Sequence, residues 1–409
     1  MKERSRFMKY LIAGSIIRHA IKYSDKMIGY LVRNIVYRNG RVVNNKIFVM
    51  TYDNRFNCNP KYIVKEIIKR NLPVDIVWAT TNNDTNSIKD FPKQVRLVKY
   101  GSYSMFEEQA SAKIWIDNAL NCVWFEMPKK KNQVYFNTWH GSMGIKRLSG
   151  NKTWMWHARR CNKNTNYCIT NSKFEENVFR NTFWKDVAFL PYGHARNDIL
   201  YSLGKEKEDI IYKVKKFYGI KDNVKIFLYA PTFRDDGNQE YYCVNYEKIQ
   251  KAVIDRFSGD WIILARAHFK NRNKEHYLEN NKSFVYDGTL YPDMQELMVA
   301  ADIGMTDYSS WAYDYVLTQK PLFIYAPDID QYDQMRGFYY PIESTPFPVA
   351  YNLEELINNI KFFDNDEYQN KVKGFLKEKG CYENGTAAKK IVNKIEEVMG
   401  LSNERNNIE

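Results

Sequence analysis

The sequence predicts an α/β fold built from two Rossmann-like, parallel-sheet halves that face one another across a cleft. Three observations lead there. Short apolar, β-branched runs alternate with helical patterns of about ten residues along the chain, the mark of parallel strands joined by crossover helices. The alternation is broken once, by the polar, Lys-rich stretch from Asp198 to Asp222, and then starts afresh. The strand ends of the second half carry hydroxyl, Arg and His side chains, and in such sheets ligands bind at the carboxyl edge.

Taken in order, the first half reads as strand Lys46 to Thr51, a loop from Tyr52 to Pro60, helix Lys61 to Arg70 and strand Val74 to Ala79. Strand Val95 to Lys99, helix Ser104 to Ala112, and strands Lys113 to Asp117 and Val134 to Asn137 follow. Strand Tyr167 to Asn171, helix Lys173 to Thr182 and strand Val187 to Pro191 complete it. The second half opens with strand Lys225 to Ala230, helix Tyr246 to Phe257 and strands Trp261 to Ala265 and Ser283 to Tyr286. Helix Pro292 to Ala300, strand Ala301 to Met305, helix Ala312 to Thr318 and strand Pro321 to Tyr325 come next. Helices Leu353 to Phe362, Glu367 to Lys379 and Thr386 to Met399 close the chain. Two such halves around a cleft form the architecture called GT-B in glycosyltransferases, with the donor nucleotide on the C-terminal half.

The 409 residues suffice for two domains of ordinary size, and a hydrophobic content of 44% excludes a disordered chain. A net charge of +13 implies an acidic partner: nucleic acid, anionic lipid or a phosphorylated substrate. The 31 Tyr suit surfaces that meet sugars or membrane interfaces, and also ordinary cores. The six Cys form no C-x-x-C pair and no zinc spacing, which reads as reduced thiols in a cytosolic protein. No signal peptide is visible, and the run Tyr10 to Ile17, broken by Gly14 and Ser15, is too short to span a bilayer.

Beyond that run, Ile17, Ile21, Ser24, Ile28, Leu31 and Ile35 recur at helical spacing, with Arg18, Lys22, Lys26 and Arg33 off the stripe and Arg4, Arg6 and Lys9 before it. A basic amphipathic helix of this kind lies on an anionic membrane or packs on its own domain with a solvated basic face. The division expected is therefore 1–45 as a membrane-associating segment, 46–205 as an acceptor-side half and 206–409 as a nucleotide-binding half.

The stretch Thr306-Asp307-Tyr308-Ser309-Ser310 ends a strand and precedes a helix. Backbone N–H groups at a helix start have no internal partner, and the two hydroxyls add donors; either Ser also serves as a simple N-cap. Leu264-Ala265-Arg266-Ala267-His268 and Tyr229-Ala230-Pro231-Thr232-Phe233-Arg234 are further anion-ready strand ends. Together they suggest a diphosphate site. In the first half, Asn137-Thr138-Trp139-His140-Gly141-Ser142-Met143-Gly144-Ile145-Lys146-Arg147 sets a His at a strand end, before a Gly-rich turn and a basic pair. His is the side chain best suited to take a proton near neutral pH.

With these motifs, and with Asn59-Pro60-Lys61-Tyr62, Gly193-His194-Ala195-Arg196-Asn197-Asp198, Lys320-Pro321 and Gly385-Thr386-Ala387-Ala388, the chain resembles the CDP-glycerol glycerophosphotransferases of bacterial teichoic-acid and capsule synthesis. The resemblance runs in family order from about residue 46 onward. It implies transfer of a phosphoalditol from CDP-glycerol or CDP-ribitol to a hydroxyl of a lipid-linked polymer or oligosaccharide, with release of CMP, at the inner membrane face. By similarity His140 is the base, while His268 and Arg266 meet the diphosphate. Thr232, Arg234, Ser309 and Ser310 are further donors, Lys146 and Arg196 join the substrate-binding set, and Asp314 and Asp307 hold alditol hydroxyls or orient neighbours. No Asp-x-Asp pair stands at a strand end, so no obligatory metal or other cofactor is expected. Ala195 replaces a frequent proline and the turn after His140 is the longer Gly-Ser-Met-Gly form, which leaves the acceptor open. The rival readings are a GT-B glycosyltransferase that moves a sugar and a non-enzymatic membrane or nucleic-acid adaptor. The adaptor gives His140, His268 and the Ser pair nothing to do, and RNA-module signatures are absent.

Overall fold

The structure, a computed structural model, describes residues 33–38, 40–81, 88–120, 127–148, 152–232, 244–267 and 283–401. The N-terminal basic stretch up to residue 32, Arg234 and His268 lie outside the described residues.

Two parallel sheets carry the fold. The first contains β1 (Val43–Met50), β2 (Asp75–Thr80), β3 (Val95–Lys99), β4 (Ala112–Asp117), β5 (Val134–Asn137), β6 (Tyr167–Ile169) and β7 (Ala188–Leu190), in the order β3-β2-β1-β4-β5-β6-β7. The second contains β8 (Lys225–Tyr229), β9 (Trp261–Ala265), β10 (Val285–Asp287), β11 (Ile303–Thr306), β12 (Leu322–Tyr325) and β13 (Val349–Ala350), in the order β10-β9-β8-β11-β12-β13. Each follows the doubly wound pattern, in which the strand order reverses beside the first strand. The reversal falls between β1 and β4 in one sheet and between β8 and β11 in the other. The central strands are buried almost end to end, as sheets covered by helices on both faces require.

Local chemistry sets the helix ends. Ser102, Ser172, Asn245 and Asp364 accept N–H bonds from the first turns of helices Tyr103–Ser111, Lys173–Thr182, Tyr246–Phe257 and Asn365–Lys379. The Lys-rich stretch after Asp198 is a 3-10 segment, Ala195–Tyr201, followed by a regular helix, Gly204–Tyr218, that buries Val214. Helix Lys152–Asn164 and helix Ile329–Arg336 have no counterpart in the sequence reading. The expected helix Ala312 to Thr318 is shorter than predicted: one α turn, Ala312–Tyr315, then a 3-10 turn, Val316–Thr318.

The last helix, Ala387–Met399, returns to the first sheet, where Ile391, Val392 and Ile395 are fully buried beside Ile47, Ile63 and Ile116. Asp198 fixes its start by accepting the N–H groups of Ala387 and Ala388 at 2.8 and 2.7 Å. A division of the chain at residue 206 therefore separates this helix from the sheet on which it packs. Conversely, Met143 and Ile145 from the loop after β5 are buried in the core of the second sheet.

Residues 33–38 form a helix in which Arg33 is only 9% exposed and Ile35 is 55% exposed. The expected solvated position of Arg33 is thus reversed here, while Ile35 keeps an open apolar surface.

Candidate active site

A cavity of about 630 Å³ lies where the two strand-order reversals meet. Tyr52 and Asp53 follow β1, and Ala119 and Leu120 follow β4; Ala230 and Pro231 follow β8, and Ser309 and Ser310 follow β11. A second cavity of about 350 Å³ adjoins it, and His140, Ser309 and Ser310 line both.

His140 is aimed by its neighbours. Trp139 adopts a left-handed backbone (φ 51°), uncommon for a bulky residue. Its N–H donates to Asn137 Oδ1 at 2.9 Å, and Asn59 Nδ2 donates to the carbonyls of Thr138 and Trp139. The indole is locked against Phe179, Phe183 and Trp184. Gly141 is required here, because a Cβ would stand 2.9 Å from Trp139 Nε1. The His140 Nδ1 lies 2.6 Å from the Asn118 carbonyl. A carbonyl only accepts, so Nδ1 carries the proton and Nε2 keeps its lone pair. Burial, then the positive charge of Arg196 and Lys146, pushes His140 down to about 4, and at neutral pH the ring is uncharged.

The motif Gly193 to Asp198 ties the halves together behind this histidine. Arg196 is buried; its Nε donates to Asp314 Oδ2 at 2.9 Å, its Nη1 to Cys58 Sγ at 3.3 Å and its Nη2 to the Gly141 carbonyl. Asn197 Nδ2 donates to Asp314 Oδ1 at 2.9 Å and to Glu383 Oε1 at 2.8 Å. Glu383 also accepts the His194 N–H. Burial drives its carboxyl up to about 7. Gly193 (φ +87°) leaves room for this carboxylate, which a Cβ would meet at 2.5 Å.

Of the expected site residues, His140, Arg196, Arg266, Ser309, Ser310 and Asp314 line the larger cavity; Lys146 and Thr232 line the smaller one. Asp314 is 2% exposed and spends its carboxylate on Arg196 and Asn197, so it orients neighbours rather than holding an alditol. Asp307 takes the N–H groups of Thr232 at 2.8 Å and Tyr308 at 2.6 Å, and so clamps the β8 and β11 ends together. Arg266 Nη1 donates to the carbonyls of Gly288 and Tyr291 at 2.6 Å, which fixes its side chain in the wall. The helix after Ser310 shows no side-chain cap and is too short for a sizeable dipole, so the Ser hydroxyls are not spent on capping. Among the described residues, no group of three or more His, Cys, Asp or Glu could hold a metal ion.

Sequence reading missed Tyr52, whose ring lies 5.0 Å from that of His140, and Asn118, which sets the tautomer. Both sit just past β1 and β4 at the reversal point, so the strand-order rule was the signal that could have found them. It also missed Asp293, which lines the cavity, pairs with Lys61 and accepts from Tyr62.

A family model for CDP-glycerol:poly(glycerophosphate) glycerophosphotransferase matches residues 34–397. The chain is 29% identical over 354 residues to the teichoic acid poly(glycerol phosphate) polymerase of Staphylococcus epidermidis, covering 82% of this chain and 48% of that one. It thus spans about half the length of that relative. It is 28% identical over 394 residues to the polymerase of the same name from Bacillus spizizenii, covering 91% and 95%. A structure of the wall teichoic acid polymerase TagF soaked with CDPG superposes with a TM-score of 0.78 at 25% identity, covering 94% of this chain and 98% of that one. By a match that covers most of its length, the chain belongs to the CDP-glycerol:poly(glycerophosphate) glycerophosphotransferase family.

Proposed function

We propose that this protein transfers glycerol phosphate from CDP-glycerol to a hydroxyl of a lipid-linked acceptor in teichoic acid synthesis. The two sheets act as the halves of a GT-B arrangement, divided near residue 206 apart from the last helix. The observation that carries the reading is His140: neutral, with Nδ1 committed and Nε2 available, on the wall common to both cavities opposite Ser309 and Ser310. The CDP moiety occupies the larger cavity. Its diphosphate meets Arg266 and the Ser309 and Ser310 hydroxyls, with Arg234 and His268 assigned by resemblance to the same group.

In the reaction the acceptor O–H loses its proton to His140 Nε2, and its oxygen attacks the phosphorus that bears glycerol. The P–O bond to CMP breaks, and CMP leaves with the electron pair. Cationic side chains and hydroxyls aimed at the leaving phosphate stabilise the charge that develops. These cations take the part a metal ion would play, so no obligatory metal is proposed. The acceptor's lipid places the enzyme at the cytoplasmic face of the membrane.

The test is purified protein with CDP-glycerol labelled in the phosphorus next to glycerol. Label in the acceptor together with CMP release supports the reading. Transfer of carbon without the label would make the enzyme a glycosyltransferase. CDP-ribitol in parallel decides between the two alditols.

A further inference from the structure

The turn that carries His140 is held from behind at two consecutive residues. Arg196 Nη2 donates to the Gly141 carbonyl, and Asn171 Nδ2 donates to Ser142 Oγ at 2.8 Å. Both holds trace back to one segment, residues 380–383, which follows helix Asn365–Lys379 and precedes helix Ala387–Met399. Residues 171–173 run antiparallel to it. The Tyr382 N–H donates to the Asn171 carbonyl at 2.7 Å, Ser172 bridges Cys381, and the Lys173 N–H donates to the Gly380 carbonyl at 2.9 Å. The second route runs through side chains. Glu383 Oε1 accepts Asn197 Nδ2 at 2.8 Å and the His194 N–H at 3.1 Å. The same Asn197 amide donates to Asp314 Oδ1 at 2.9 Å, and Asp314 Oδ2 accepts Arg196 Nε at 2.9 Å. Asn197, Arg196 and Asp314 are buried, so water does not compete for these bonds.

We infer that Glu383 is a positioning residue for the transfer: it fixes the Asn197 amide, and through Asp314 and Arg196 it sets the His140 turn against the Ser309 and Ser310 hydroxyls. The inference rests on the transferase reading above and deepens it. Asp314 joins the two sides of the site, because it lies on the helical turn that follows Ser310 and holds the Arg that grips Gly141. An Asn amide has two N–H donors on one atom and an acceptor on the other. Asn197 therefore serves two carboxylates at once in one orientation only, and Glu383 selects it. Without Glu383 that orientation loses half its support, Asp314 and Arg196 gain freedom, and the Gly141 carbonyl moves with them. A misplacement of about 1 Å at the reacting groups costs about 10²-fold in rate. Glu383 lines neither cavity, so its effect falls on the rate and not on donor binding.

The experiment compares Glu383→Gln, which keeps the length and one acceptor oxygen, with Glu383→Asp, which keeps the charge but falls one methylene short of Asn197. The substrates are CDP-glycerol and a synthetic glycerol phosphate primer on a lipid. Assays run at about pH 8, above the value of about 7 to which burial lifts the Glu383 carboxyl. Glu383→Asp should lower kcat about ten- to hundred-fold with the KM for CDP-glycerol unchanged, and Glu383→Gln should recover most of that rate. Asn197→Ala removes the same link from its other end and should lower kcat as far, so the result does not depend on one variant folding. In the Asn197→Ala background, Glu383→Asp should cost no further rate. Wild-type kcat in Glu383→Asp or in Asn197→Ala, a raised CDP-glycerol KM, or fully additive losses would overturn the assignment alone. Absence of CMP release by wild type would overturn the transferase reading itself, and the assignment with it.

Discussion

At the scale of single residues, His140 is prepared for its task by a shortage of charge. The surroundings of the ring are buried and cationic, and both conditions favour the neutral form. In the complex proposed above, the donor diphosphate would reverse the electrostatic part and raise the affinity of Nε2 for a proton when the acceptor must lose one. The acid limb of kcat/KM, which reports the free enzyme, should therefore lie at lower pH than the acid limb of kcat. Coincident limbs would exclude this coupling. His140→Ala should lower kcat by about 10²–10⁴-fold. Its loop is rooted in the core of the second sheet through Met143 and Ile145, so the donor KM should be read alongside, against Ser142→Ala as a control on loop position. Activity should survive exhaustive EDTA treatment; loss restored by Mg²⁺ would show that the cationic side chains do not suffice. The cavity positions of His140, Arg266 and the Ser pair were legible because a strand end announces itself locally. Sequence left Asp314 between holding alditol hydroxyls and orienting a neighbour, because its partners, Arg196 and Asn197, come from the other sheet. No local pattern encodes a pairing across more than a hundred residues.

At the scale of elements, the buried pair Lys61–Asp293 fastens helix Cys58–Lys69 of the first sheet to helix Met294–Ala300 of the second. Burial alone would raise the Asp293 carboxyl, but the Lys61 ammonium more than offsets this and holds it below the usual carboxylate range. A depressed folded value means that the stabilisation is complete above the ordinary Asp range and is lost as pH falls through the folded value. Lys61→Met should destabilise the protein by about 3–5 kcal/mol, because it strands a buried charge. The double variant Lys61→Met, Asp293→Asn should regain most of that, since Asn still caps the helix and carries no charge. Urea denaturation of wild type, Lys61→Met, Asp293→Asn and the double variant measures it; a double variant no more stable than Lys61→Met would exclude the charge explanation. Most strand positions were legible to within a residue or two because continuous apolar runs mark strands covered on both faces; β1 starts three residues earlier than expected, and the two-residue edge strand β13 (Val349–Ala350) is too short to show a run and was missed. The helices at Lys152 and Ile329 were not, since their sequences are polar or aromatic on several sides and lack a clean stripe.

At the scale of the whole molecule, two doubly wound sheets are joined by crossings that sequence pattern does not reveal. The stripe Ile391, Val392 and Ile395 announces a buried helix but does not say which sheet buries it. Asp198 decides by capping its start. The same limit applies at the other end of the chain. Among the described residues no helix is long and apolar enough to cross a membrane. The lipid-linked acceptor proposed above calls for a means of holding the enzyme at a membrane surface. The sequence offers Arg4, Arg6, Lys9, Arg18, Lys22 and Lys26 for this, with Ile17, Ile21, Ile28, Leu31 and Ile35 as the apolar side. Arg33 drops out, because it is turned inward, whereas the exposed Ile35 stays available. Each basic residue near an anionic surface contributes about 1 kcal/mol, so the six together suffice for reversible binding. The protein should sediment with anionic liposomes, and high salt should weaken that binding, since screening acts on exposed charges. Arg18→Glu, Lys22→Glu and Lys26→Glu combined should release it, with an unchanged unfolding midpoint and unchanged transfer to a short-chain, soluble acceptor. Undiminished sedimentation would remove this segment from membrane binding, and a lowered unfolding midpoint would make it a packed part of the first half instead.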